Sequence, residues 1–559
     1  MVVDLHELPV AEPFSFEADV CIVGAGAAGL TLARNLLRQS RRVLLVESGG
    51  VDYEAVSADL NEGSNAGERY YELADARLRQ FGGTTAIWGG RCAELDEIDF
   101  ERRDWVPFSG WPFHKSTLDP YYARAWDGLG IHRGGSDSKP ASSRQIQTWL
   151  GDTFRVAWWR FDRRDDRYSI TAQHDMTLEP RLRVLLHATV TDIRMTEGQR
   201  SVEHLAVRSL QGHRGLLRAH HFVLAAGGLE NPRILLSANS QCAAGVGNAH
   251  DLVGRFFMEH PHARAGRLHT QTARWAMLKT FSMQRQHGIA CAPTLCASDQ
   301  VQREENILNS SMVPRLRPHA NAAKTFGRSM YDAARHRLEP TRHNLTIWRA
   351  YKRVRAMIKR TTHPLFPWKR LSSDAQGLYL SVRAEQAPNP DSRVRLGDTV
   401  DGLGMRRIVL DWRLTELDRR TLEVMARRLD GALRQSGAGH VEAAPWLSQP
   451  RANWEFDPLI SRHAMGGYHH MGTTRMADSP RAGVVDRDCR VHDVCNLWIA
   501  GSSVFPTSGW ANPTLSIIAL TLRLADRLEY ALQADLAPMR SLDASPQSVM
   551  PAEPEAVGS

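Results

Sequence analysis

The 559-residue chain is predicted to fold as an α/β protein joined to a second domain of α+β type. Three observations carry that prediction. An apolar run near the N-terminus enters a glycine-rich turn and then a helical period. Runs of the same kind recur far downstream. Between them lies a long region, 266–460, whose apolar residues alternate with polar ones. At ~150 residues per domain the length allows three or four units, or two large ones. Apolar residues make up 42% and charged residues 24%, which excludes collagen-like, coiled-coil and wholly disordered chains. No apolar run is long enough for a transmembrane helix. The first twenty residues show neither a basic nor an apolar signal region, so a cytoplasmic location is the default expectation. Seven cysteines, none in a CxxC pair, argue against a disulfide framework and against structural zinc, and no metal site is expected.

The first element is the apolar run Ala18–Val23, which has no helical period and is bounded by glycine, as a buried parallel strand would be. Gly24-Ala25-Gly26-Ala27-Ala28-Gly29 follows, then a helical period from Leu30 to Arg38, then a second buried strand, Arg42–Val46, ending in Glu47. Strand, G-x-G-x-x-G, helix, strand and acid within about thirty residues is the full context of a Rossmann-like dinucleotide fingerprint. Gly24 permits the tight turn, Gly26 lets the backbone approach a pyrophosphate, and Gly29 lets helix and strand pack closely. The helix N-terminus faces the phosphates, and Glu47 can hold a ribose diol. Further strands are expected at 183–193, at 221–226 and at 496–500, the last two running into Gly227-Gly228 and Gly501-Ser502. The nucleotide domain is therefore discontinuous: 1–110, 180–265 and 462–533.

Residues 111–179 and 266–461 are assigned to the second domain, built on a mostly antiparallel sheet. The runs 376–385, 392–396 and 407–412 read as its strands, with turn chemistry at Pro388–Asp391. Leu417 to Ser436 reads as an amphipathic helix capped near Thr415. A helix from Pro513 to about Leu532 closes the nucleotide domain, and 534–559, rich in Ala, Pro, Ser and Glu, read as a disordered tail. The overall charge is +8, but the insert 321–372 alone carries +11, so the remainder is slightly acidic. Nucleic acid, which asks for charge spread over a face, is not an expected partner. The stretch 351–360 is helix-compatible, and Leu345, Trp348, Val354 and Ile358 form an apolar stripe beside it. A solvated lid, an oligomer contact and a peripheral membrane contact all fit such an insert.

A single nucleotide fingerprint so near the start points to FAD held for chemistry on a directly bound substrate. A second one is absent: Gly245–His250 breaks the pattern and follows no strand. Cys291 and Cys296 lie some 260 residues past the fingerprint with Pro293 between them, and they read as small buried residues rather than a redox pair. Three more segments carry signal: the loop Phe81–Arg91, with Gly82-Gly83-Thr84 and Trp88-Gly89; Tyr468–Met476; and Phe505–Leu515. Pro513 suits the first helical position, which leaves the N–H groups of Thr514 and Leu515 and the positive dipole end to stabilise an anionic reduced flavin.

These marks, together with Gly254–Pro261, resemble the glucose–methanol–choline (GMC) family of flavin oxidoreductases over nearly the whole chain, the pyranose-oxidase and bacterial sugar-oxidase branch most. The resemblance implies oxidation of an alcohol CH–OH to a carbonyl with hydride passing to FAD. It places the catalytic histidine on His469, because the family's H-x-x-G-T reads His469-His470-Met471-Gly472-Thr473, and its partner on Asn512. The residue chemistry agrees, since an alcohol is a poor hydride donor until its proton leaves and histidine is the usual base. Such a base predicts a rate that rises through a group titrating around pH 6–8. His470 is the rival base and otherwise a substrate contact, with Trp510; Asn512 has a competing role as N-cap. The expected cofactor contacts are Gly24, Gly26, Ala27, Gly29, Glu47, Gly82, Gly83, Thr84, Trp88, Gly89, Val190, Ala226, Gly501, Ser502, Pro513 and Thr514. Relatives that attach FAD covalently use a histidine where this chain has Ile87, so the FAD is expected to be noncovalent. Cys489 and Cys495 do not supply an iron–sulfur cluster.

The expected substrate is a sugar, glycoside or aminosugar alcohol, with oxygen or another oxidant as acceptor. The alternatives are a hydrophobic alcohol such as a sterol, aromatic or fatty alcohol, or a flavoprotein whose basic insert makes it a membrane- or partner-binding module. An oligomer is also compatible with the sequence.

Overall fold

The computed structural model describes residues 1–10, 13–131, 141–164, 166–270, 274–318, 339–361, 376–449, 453–456 and 468–542. Two large sheets organise it. The first has eight strands, ordered Val2–Asp4, Leu182–Leu186, Val43–Val46, Phe14–Val23, Arg214–Leu224, Val202–Arg208 and Thr189–Met195, with Leu497–Ile499 also on Arg214–Leu224. Pairing is parallel from Val2–Asp4 through to Arg214–Leu224 and again at Leu497–Ile499. Val202–Arg208 and Thr189–Met195 add an antiparallel hairpin at the edge. The parallel strands are buried on both faces, which is why Val20–Val23 and Val43–Val46 read as unbroken apolar runs. Helices Ala27–Arg38 and Thr514–Leu542 pack against each other beside this sheet.

The second sheet is antiparallel throughout, ordered His440–Ala443, His262–His269, Gln376–Arg383, Ser311–Pro318, Ile289–Ala297, Phe154–Phe161 and Arg91–Cys92, with the short Gln284–Gln286 on Ile289–Ala297. Helix Glu416–Gln435 packs on it, entered through a reciprocal capping box between Thr415 and Asp418. The expected cap at Thr415 is thus the observed one.

Several expectations shift in detail. The single strand read over 183–193 is two, Leu182–Leu186 and Thr189–Met195, broken at His187 (φ 54°), whose ring lies between Asp4 and Glu54. A left-handed residue ends one ladder and redirects the chain to the next. The strands Arg393–Val400 and Arg406–Asp411 do not join the second sheet; they pair with each other and with Gly63–Asn65 in a separate three-stranded sheet. Arg91–Cys92, inside the segment 1–110, belongs to the second sheet. Cys291 and Cys296 are buried free thiols on Ile289–Ala297, where Pro293 sits opposite Trp158. The closing helix runs to Leu542, past the point where composition placed the tail; 543–559 lie outside the described residues.

Of the basic insert, helix Arg342–Thr361 is described. Its expected apolar stripe divides. Leu345 and Trp348 are buried against Leu78 and Ile87, while Ile347, Tyr351, Val354 and Met357 are exposed; the Ile358 side chain is outside the described residues. Arg349 donates to the Ala86 carbonyl at 3.0 Å, and the Asp52 carboxylate accepts the Arg342 N–H at 2.8 Å. No helix among the described residues is long and apolar enough to cross a membrane.

Candidate active site

A cleft opens at the carboxyl ends of the parallel strands, where chain reversals in α/β sheets leave a crevice. It is lined by Gly24, Gly26, Ala27, Glu47, Gly83, Thr84, Val190, Ala226, Gly501 and Ser502, ten of the sixteen residues expected at the cofactor. The glycines sort into two kinds. A side chain on Gly24 (φ +105°) would lie 2.7 Å from the Ala225 carbonyl, and one on Gly29 would strike the Gly24 carbonyl, so these two hold the strand–turn–helix together. A side chain on Gly26, Gly227 or Gly501 would meet no protein atom within 4 Å. Bare backbone facing open space inside a cleft is what a dinucleotide requires, and helix Ala27–Arg38 offers its N-terminus there with no side-chain cap. The residues therefore fit FAD. Glu47 accepts the N–H groups of Ala25 (2.9 Å) and Gly49 (3.0 Å), and burial nonetheless raises its pKa.

Six expected contacts lie outside the cleft lining. Gly29 packs helix on strand. Gly82 (φ +98°) donates its N–H to the Ala25 carbonyl and starts the turn Gly83–Ile87. Trp88 leans edge-on against Tyr168, followed by Gly89, and Pro513 with Thr514 opens the last helix, whose Ile517 does line the cleft. Sequence reasoning missed Arg77, Arg79 and Glu230. Glu230 pairs with Arg79 at 2.7 Å and Arg77 at 3.2 Å, all buried beside the cleft. The three surrounding guanidiniums, including Arg233, hold Glu230 well below the usual carboxylate range against its burial.

The pair expected to be catalytic is drawn together from 43 residues apart: Asn512 Nδ2 lies 3.0 Å from His469 Nε2. On its other side His469 Nδ1 lies 2.7 Å from Nδ1 of His260, whose Nε2 lies 2.8 Å from the Gly509 carbonyl. This chain of contacts fixes the protons. A carbonyl only accepts, so His260 carries its proton on Nε2 and presents a lone pair at Nδ1. His469 must then donate from Nδ1, which leaves Nε2 with a lone pair that accepts from the Asn512 amide N–H. Asn512 Oδ1 is buried with no protein partner. An amide held by one end, its other end orphaned beside a basic nitrogen, is set to meet a hydroxyl group. The N-cap role for Asn512 is not the one its contacts show.

Glu259 secures the geometry. Its carboxylate accepts the backbone N–H groups of His260 (2.9 Å) and His469 (3.0 Å) and the Tyr70 hydroxyl (2.8 Å). Burial pushes its pKa up to about 7. Burial first, then His260, Arg383, His262 and His470, lowers His469 well below the ordinary histidine range, and His260 falls to about 4. This corrects the expected titration at pH 6–8 downward. His260 and Glu259 belong to the Gly254–Pro261 segment already noted as a mark; nothing in the linear sequence assigned them roles, because their partner is 209 residues away.

His470 turns away from its neighbour. Its Nε2 donates to the Tyr70 hydroxyl at 2.9 Å, its ring packs at 5.9 Å from Phe257, and its pKa falls to about 3 through burial. His470 lines the cofactor cleft, but with its Nε2 engaged by Tyr70 its contacts do not favour it as the rival base. Trp510 is likewise buried, its Nε1 donating to Asp96 at 2.7 Å and its ring edge-on to Trp159. It forms the wall behind the pair rather than an open substrate face.

Comparison with known proteins places the chain among flavin oxidoreductases. Residues 19–242 match the family described as FAD dependent oxidoreductase, and residues 388–521, which contain both His469 and Asn512, match GMC oxidoreductase. The chain is 26% identical to 6'''-hydroxyparomomycin C oxidase of Streptomyces lividus over 93% of its own length and 92% of that protein. It is 25% identical to paromamine 6'-oxidase of Streptomyces fradiae over 91% and 90% respectively. Pyridoxine 4-oxidase from Mesorbium loti superposes with a TM-score of 0.51 at 17% identity, covering 92% of this chain and 99% of that one, a likeness of fold.

Proposed function

The chain is an FAD-dependent alcohol oxidoreductase of the GMC family, and from that premise we propose that it oxidises a hydroxyl of a sugar or glycoside to a carbonyl, with His469 Nε2 taking the hydroxyl proton. The observation that carries the reading is the fixed tautomer: the Gly509 carbonyl and His260 together keep the proton of His469 on Nδ1. Bound FAD supplies the acceptor for the hydride. His469 Nε2 accepts the O–H proton, which makes the alkoxide-like oxygen a hydride donor. Asn512 orients that oxygen, its Nδ2 able to donate to the oxygen as charge develops. Its lowered pKa keeps His469 neutral, and so competent as a base, across the neutral range. Relatives named 6'''-hydroxyparomomycin C oxidase and paromamine 6'-oxidase support a sugar-type substrate. With Ile87 buried among Leu78, Leu345 and Trp348, the loop offers no nucleophile at that place, and FAD is held noncovalently. Oxygen or another oxidant would serve as the final electron acceptor.

The test is anaerobic reduction of the bound flavin by a panel of sugars. His469→Ala slows it by ~10²–10⁴-fold, the range for a lost general base, at unchanged FAD content. Asn512→Ala costs about 1–3 kcal/mol of barrier, the loss of a polar partner. Wild-type reduction rates in His469→Ala would remove the base from this reading.

A further inference from the structure

Among the described residues, the most deeply buried arginines each have a carboxylate or carbonyl partner. Arg77 and Arg79 meet Glu230, Arg103 meets Glu385 at 2.6 Å, Arg233 meets Glu230 and Asp401, and Arg475 donates to the Phe108 carbonyl at 2.7 Å. Two arginines on the second sheet are different. Arg91 holds its guanidinium 5.8 Å from the centre of the Trp159 ring and 5.5 Å from that of Phe161. Arg383 approaches the same Trp159 ring at 5.9 Å. Neither has a carboxylate within ion-pair distance, nor a hydrogen-bond acceptor, among the described residues. As whole residues both are only partly buried, although burial bears on both guanidiniums.

Arg383 lies near the His469–Asn512 pair, close enough for its charge to bear on His469. Arg383 is the strand partner of His262, two residues beyond His260, and of Ser311 on the other side. The ring shared by the two guanidiniums packs edge-on at 5.4 Å against Trp510, two residues before Asn512. Glu259, the acid whose charge bears on Arg383, has both oxygens engaged by the backbone of His260 and His469 and by Tyr70. We propose that Arg91 and Arg383 seat an oxyanion carried by the substrate, so that the alcohol oxidised is an acidic sugar, a uronate or aldonate in preference to a neutral or amino sugar. Cations left without counter-charge beside an active site are costly until an anion arrives, and a guanidinium fork matches a carboxylate in two hydrogen bonds. The electrostatics agree: burial, then Arg91 and Arg315, pull Arg383 well below the ordinary arginine range. An aminosugar would bring its ammonium toward the same two charges.

This inference rests on the alcohol-oxidation reading, and the experiment separates the two. Glucose, galactose and mannose are each supplied as the neutral methyl glycoside, the uronate, the 6-phosphate and the 2-amino sugar, and flavin reduction is followed anaerobically. The uronate of the reactive series is expected to exceed its neutral counterpart at least tenfold in kcat/KM, with the amino sugar slowest. Arg383→Gln and Arg91→Gln each cut the uronate-to-neutral ratio tenfold to hundredfold, the range for a lost charged hydrogen bond, and Arg383→Lys retains part of it. In parallel, quenching of tryptophan fluorescence by glucuronate saturates, weakens with salt and is lost in Arg383→Gln. A 6-phosphate that outruns the uronate keeps the anion seat and changes the anion. Equal use of neutral and acidic sugars by the wild type, or a preference for the amino sugar, overturns the proposal. So does absence of saturable binding by both uronate and phosphate. Saturable, salt-sensitive binding without any flavin reduction supports the anion seat and counts instead against the alcohol-oxidation reading.

Discussion

Removing His260 should slow catalysis although no proton in the reaction passes through it. His469 donates from Nδ1 to His260 Nδ1 at 2.7 Å inside a buried site. In His260→Ala that donor loses its acceptor, and a buried unsatisfied donor costs about 1–3 kcal/mol. The ring escapes part of this by moving its proton to Nε2 or by rotating, and either response removes the lone pair that takes the substrate proton. At about 1.4 kcal/mol per decade the loss is roughly 5- to 150-fold in the rate constant for flavin reduction. FAD content should not change, because the cleft glycines are elsewhere. His260→Asn is the discriminating variant, since its Oδ1 can accept from His469 Nδ1 and should recover a large part of the rate. Stopped-flow reduction at saturating substrate reads both. A rate within twofold of wild type in His260→Ala would refute the tautomer argument, as would an Asn variant no better than Ala.

Three further outcomes follow from the same geometry. Gly26→Val should abolish FAD retention while leaving the fold intact, because its side chain meets no protein atom, whereas Gly24→Ala should unfold the domain, being 2.7 Å from the Ala225 carbonyl at φ +105°; flavin absorbance and thermal melting separate the two. The rate of flavin reduction should be flat above neutrality and fall only as acid protonates His469 below the usual ~6.5, since its pKa is lowered by burial; a rise centred above pH 7 would contradict this. Trp348→Ala should destabilise the protein by about 3 kcal/mol, as for a large buried aromatic, and loosen FAD by way of Ile87; unchanged melting and unchanged flavin affinity would show the helix contact to be idle.

The fold was legible in the sequence where a local rule forced it. Gly24, Gly26 and Gly29 carry steric demands that act within a few residues, and Thr415 with Asp418 caps its helix at short range. The strand break at His187 was not legible, because it depends on Asp4 and Glu54, which are remote along the chain. Pairing of Gly63–Asn65 with Arg406–Asp411 was hidden for the same reason. At the site, His469 and Asn512 were readable through a resemblance, while His260, Glu259, Tyr70 and Arg383 acquire roles only when strands from three regions meet. A histidine in a line of text has no tautomer; the Gly509 carbonyl gives it one.

The basic helix Arg342–Thr361 stands on Leu78, which lines the cleft, and on Ile87, the last residue of the turn whose Gly83 and Thr84 also face the cleft. Whatever free energy FAD adds to that turn must be felt by the helix, and whatever holds the helix must be felt by FAD, because coupling between two sites is reciprocal. The insert therefore reports on cofactor loading. Apoprotein should be cut in this arginine-rich segment by trypsin faster than holoprotein, and anything that binds the exposed Ile347, Tyr351, Val354 and Met357 side chains would alter how tightly the flavin is kept.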